Sequence, residues 1–195
     1  MNTDSKFLKS TIIVTIITIG LLMIPFVAMQ FSTEVDWSIG DFIIAGFLLF
    51  GTGFTYVLLT TKVNNGRYKA GIAVGLFAGL FLIWANLAVG IIGSEDNPVN
   101  TIYFGVIGIG IVGAVMSRFK SRGLSLTMFV ISLVLFLIAI IVLLYASTQN
   151  ADFTIRKIMT YAGAHGLFIM LFFISGILFR QAAQDEADLN KIQTG

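Results

Sequence analysis

Asn86, His165, Gln30 and Asp41 are the side chains whose chemistry most needs an explanation, because each sits in or against a long apolar run. A polar group inside a bilayer loses water and must find a partner, so it is retained for function or for packing. Glu95 and Asp96 stand close by in the turn Gly93-Ser-Glu95-Asp96-Asn97-Pro98, within the stretch Trp84 to Tyr103 that holds the densest group of polar residues beside apolar sequence. One reading joins all six into an outward-facing pocket. Asn86, His165 and Gln30 would line it, with Glu95, Asp96 and Asp41 at its mouth. Such a pocket would attract cations or hold a polar headgroup. The competing reading makes Asn86 and His165 interhelical glue and the acids a solvated loop.

The inventory excludes several chemistries. There is one histidine and no cysteine. Bis-histidine haem ligation, thiolate metal sites and cysteine nucleophiles are therefore ruled out, and a helix-borne zinc site has too few nitrogen or sulfur donors. No nucleophile elbow accompanies His165. A proton-coupled pump would need a carboxylate near the midplane, and the apolar runs carry none there. No cofactor is implied. The basic residues are spread over short segments, so there is no nucleic-acid footprint. An enzyme acting on lipid is the weakest of the readings kept.

The elements that position these groups follow from composition. Hydrophobic residues make up 57% of the 195 and charged residues only 11%, against about 25% charged in soluble domains. The apolar residues form continuous runs rather than alternating, which selects helices over a barrel. The expected fold is an all-α integral membrane protein forming one transmembrane domain over residues 1–195. Its six helices are expected at about 8–30, 41–61, 70–93, 101–117, 124–146 and 158–180, with a short tail at 181–195. The first run is too long for a signal peptide and ends in a poor cleavage site. Asp41 suits the positive end of helix 2. Asn97-Pro98 reads as an N-cap followed by proline at the first helical position. Helix 5, rich in Leu and Ile without glycine, is expected to show the widest lipid-facing surface.

Charge sets the expected orientation. Lys6, Lys9, Lys62, Arg67, Lys69, Arg118, Lys120, Arg122, Arg180 and Lys191 fall on one side of the six runs, and only Arg156 and Lys157 on the other. The positive-inside rule then puts both termini in the cytoplasm, of a bacterial-type inner membrane. The outer loops collect Glu34, Asp36, Asp41, Glu95, Asp96 and Asp152. Three tandem helical hairpins and an irregular six-helix bundle both fit this pattern.

Depth follows from helical rise. Asn86 is seven residues from Gly93, and His165 seven from Ile158, so both are expected roughly 10 Å inside their helix ends at ~1.5 Å per residue. Gly71, Gly75 and Gly79 form overlapping GxxxG units that let another helix approach closely. The function expected from these features is a small interaction or assembly subunit, oligomeric with itself or with a membrane-protein partner and surrounded by lipid. A small channel or permease with an acidic outer mouth is the alternative.

Overall fold

The computed structural model describes residues 3–94, 96–149 and 155–194, with side chains for all of these except 3, 149, 155–158, 160, 161 and 194. Six α-helices follow one another: α1 (Thr3–Phe31), α2 (Ile39–Thr60), α3 (Gly66–Ala88), α4 (Ile102–Met116), α5 (Ser121–Gln149) and α6 (Ile155–Thr194). A 3-10 turn, Pro98–Thr101, leads into α4. All six helical segments are long and apolar enough to cross a membrane. The chain divides into two compact units, Met1–Asn64 and Asn65–Gly195.

The first unit is an antiparallel hairpin. Phe7 packs edge-on against Phe54, and Phe26 against Phe42, at opposite ends of the pair. Val14 lies over Gly53 and Leu22 over Gly46. Proline 25 lies inside α1, which continues through it to Phe31. The start of α2 is fixed by a capping box. Asp41 accepts from the backbone N–H of Ser38 at 2.7 Å, and its own N–H donates to Ser38 Oγ at 3.3 Å. The acidic group at the first turn therefore closes two open backbone donors as well as facing the helix dipole.

The second unit arranges α3, α4, α5 and α6 as a closed ring in which neighbours run antiparallel. Helix α6 lies against both α3 and α5, and α5 also packs on α4. On the α3–α6 seam Gly71 faces Phe179, Gly75 faces Ser175, and Phe81 packs on Phe168. On the α5–α6 seam Phe129 packs against Phe173 and sits over Gly176. The core holds Leu82, Tyr103, Val106, Ile131, Leu135, Phe168 and Phe172.

Helix α5 differs from expectation. Its apolar window is 44% buried, the largest share among the six helices. Leu124, Ile131, Leu135, Ile138 and Val142 point inward while Leu126, Leu133, Leu137 and Leu144 point out. Polar hooks draw it in: Ser125 Oγ donates to the Gly176 carbonyl at 2.8 Å, and Ser132 Oγ lies 3.3 Å from that of Ile169. Leu and Ile serve a lipid-facing surface and a membrane core equally well, so their abundance does not decide which face a helix presents.

Helix boundaries also move. Helix α3 stops at Ala88, five residues short of the expected Gly93, because Gly90 and Gly93 adopt positive φ of 70° and 74°. Helix α6 continues through the charged tail to Thr194. Asp185 of this extension pairs with Arg67, Asn65 Nδ2 reaches the same carboxylate at 3.3 Å, and Glu186 accepts from Ser121 Oγ at 2.6 Å.

Candidate functional site

The turn after α3 is built around one side chain. Asn100 is 3% exposed. Its Oδ1 accepts from the N–H groups of Ile91 and Ile92 at 3.2 and 2.9 Å. Its Nδ2 donates to the carbonyls of Ile92 and Ser94 at 3.3 and 2.7 Å. Asn97 adds a donor to the Ile92 carbonyl at 3.0 Å while its Oδ1 caps Val99. Backbone groups freed by the early end of α3 are thereby satisfied without water. The segment folds back on the bundle, and Ile91 joins the core. Asn97 and Pro98 act as expected, at the N-cap and first position of the 3-10 turn.

Beneath this turn, Tyr103 Oη of α4 lies 2.7 Å from His165 Nε2 of α6. Both residues are 1% exposed. A neutral imidazole carrying its proton on Nδ1 accepts the phenol O–H at Nε2; the other tautomer donates to the phenol oxygen. Either way, the phenol oxygen and the imidazole Nε2 are paired with each other in a buried position. His165 lies ten residues into α6, which starts at Ile155 rather than Ile158, so it is about 15 Å along the helix rather than 10 Å.

Asn86 is buried at 4% exposure two residues before the end of α3. That is roughly 3 Å from the helix end, shallower than expected. The α3–α6 contacts pair residue 71 with 179, 75 with 175 and 81 with 168. Continued by five residues, this register brings Asn86 level with the His165 turn. Its Oδ1 is the one buried side-chain polar atom among the described residues without a hydrogen-bond partner.

The remaining site residues are distributed as follows. Gln30 and Asp41 belong to the first unit, are exposed, and stand at the end of α1 and in the capping box of α2. Asp96 is exposed in the turn stapled by Asn100. Glu95 and Asp152 lie outside the described residues, as do the side chains of Arg156, Lys157 and Tyr161. Gly71 faces the protein's own Phe179, Gly75 faces Ser175 and Gly79 faces Ile107. Ser175 Oγ donates to the Gly71 carbonyl at 2.8 Å, which needs the close approach that Gly75 permits. Sequence reasoning singled out neither Asn100 nor the Tyr103 hydroxyl. Nothing in spacing marks Asn100 apart from Asn97, whose place before proline does.

No protein-family model, curated protein or solved structure matches the chain significantly.

Proposed function

We propose that this chain is a membrane-embedded assembly subunit, with both termini in the cytoplasm of a bacterial-type inner membrane and with itself or another membrane protein as partner. One observation carries the reading. The buried polar side chains of the second unit are largely engaged in holding helices together: Ser125 on Gly176, Ser175 on Gly71, Tyr103 on His165. Hydrogen bonds between helices are the cohesive device of membrane bundles, where lipid removes the hydrophobic drive for association. Groups used this way do not line a path for a solute. Self-association through Gly71 and Gly75 is not part of the proposal, since α6 fills that face.

The test places photocrosslinking residues at the exposed positions Ile16, Phe47, Ile141 and Leu144 of protein in native membranes. Discrete crosslinked species at a subset of positions are expected, with a matching mass above that of the monomer in lipid nanodiscs. A strictly monomeric protein with no crosslink at any position would overturn the reading.

The unpaired Oδ1 of Asn86 supports a second reading, a site for a small polar solute at the Asn86–Tyr103–His165 level of the bundle. Solute flux into proteoliposomes that disappears in Asn86→Leu would favour it over the first.

A further inference from the structure

We propose that the turn between α4 and α5 together with the first residues of α5, Ser117-Arg118-Phe119-Lys120-Ser121-Arg122, is a seat for the phosphate of anionic phospholipids. It carries three cations and no acid. Arg118 and Phe119 are consecutive non-glycine residues in the left-handed region, at φ 50° and 57°. That conformation costs roughly 1–2 kcal/mol per residue, so the surrounding contacts must impose it. They are visible: Phe119 N–H donates to the Ala114 carbonyl at 3.1 Å, and Tyr68 Oη donates to the Phe119 carbonyl at 2.9 Å. The Tyr68 side chain is itself buried against Phe179.

The consequence is a fixed presentation. Arg118, Lys120 and Arg122 are exposed around Phe119, which is 38% exposed. The turn lies between two candidate spans, one ending at Met116 and the next beginning at Ser121. Val115 and Met116, 59% and 79% exposed, continue the apolar surface up to it. An aromatic ring among cations at the edge of an apolar surface matches the boundary where acyl chains meet phosphates.

Of the nearby acids, Asp185 is ion-paired with Arg67, and Glu186 accepts a hydrogen bond from the Ser121 hydroxyl. Among the described residues the ion pairs are Arg67–Asp185 and Lys191–Asp188, and neither includes a cation of the turn. Arg118, Lys120 and Arg122 therefore keep their donors for an external anion. A phosphodiester offers the planar oxygen pair that guanidinium recognises, while Phe119 packs on the glycerol and first acyl carbons. The proposal depends on the six helices lying in a bilayer and is independent of whether the protein has a partner.

Native mass spectrometry of the full, delipidated chain with equimolar phosphatidylglycerol and phosphatidylcholine tests it. Phosphatidylglycerol adducts are expected to exceed phosphatidylcholine adducts by about tenfold, as three near-surface cations can supply. Arg118→Gln/Lys120→Gln/Arg122→Gln should bring the ratio near parity. Lys6→Gln/Lys62→Gln/Lys69→Gln removes the same charge elsewhere and should keep the preference. Lys120→Gln/Arg122→Gln leaves the left-handed pair untouched and should give an intermediate ratio, which guards against misfolding of the triple variant. Parity in the unaltered protein, equal loss in the control variant, or full preference in the double variant would overturn the proposal.

Discussion

Tyr103 and His165 are joined hydroxyl to imidazole at 2.7 Å between α4 and α6, two helices that are not neighbours in the ring of the second unit. Each is attached to a different wall, and the bond spans the apolar interior between them. Such a strut fixes the rotation of both helices, because a small turn of either would carry its polar atom into hydrocarbon.

Tyr103→Phe keeps the ring and removes only the hydroxyl that meets His165 Nε2. Loss of one partner from a buried polar pair costs about 1–3 kcal/mol. The expected result is a loss of that size in unfolding free energy in lipid or mild detergent. A double-mutant cycle with His165→Leu should show a coupling of about 0.5–3 kcal/mol. Additive effects would mean that the two residues stabilise the bundle separately.

Asn100→Ala deletes the acceptor for Ile91 and Ile92 and the donor to Ile92 and Ser94. At about 1 kcal/mol net for each bond, the turn should lose roughly 2–4 kcal/mol of local stability. Amide hydrogen exchange at Ile91 and Ile92 is the direct measurement, and both should speed up by two orders of magnitude or so. Asn100→Asp keeps the acceptor but places a charge in a site 3% exposed, so it should not rescue the turn. Unchanged exchange in Asn100→Ala would show that the turn holds without its staple.

The features legible from the sequence are those with a one-dimensional signature. Six long apolar runs gave six helices, the Asn97-Pro98 pair gave the start of the 3-10 turn, and Asp41 gave the first turn of α2. What was illegible depends on lateral placement. The burial of α5 cannot be read from leucines that suit lipid and core alike. The Tyr103–His165 bond joins residues 62 apart in the chain on helices of unconstrained azimuth. The early end of α3 turns on which of Gly90 and Gly93 takes positive φ, and both do. Asn86 and His165 were singled out correctly as buried polar groups, but depth counted from an assumed helix end shifted with that end.

Gly75→Ala and Gly79→Ala separate contact from spacing. A Cβ on Gly75 would stand 2.9 Å from Ser175 Oγ, the group that donates to the Gly71 carbonyl. A Cβ on Gly79 would meet Ile107 at 3.7 Å, an ordinary contact. Gly75→Ala should therefore destabilise by about 1–3 kcal/mol as the α3–α6 seam opens. Gly79→Ala should be neutral or slightly stabilising, since alanine favours helix by roughly 1 kcal/mol over glycine. Thermal unfolding of the two variants in the same detergent checks the order, and equal midpoints would contradict the seam.

Asn86→Leu tests the unpaired oxygen of the second unit. Leucine has the same number and branching of side-chain heavy atoms, and replacing an unsatisfied buried amide by an apolar side chain removes a desolvation penalty of about 1–3 kcal/mol. If Asn86 Oδ1 has no occupant, the variant should be neutral or more stable by up to that amount. If a water or a small solute sits on it, the same substitution evicts a bound molecule and stability falls. Under the assembly reading the expected outcome is the first, with crosslinking unchanged. A less stable variant, rescued by Asn86→Gln and accompanied by lost solute flux, would transfer the weight to the solute-site reading, because packing glue has no reason to require an amide whose oxygen bonds nothing.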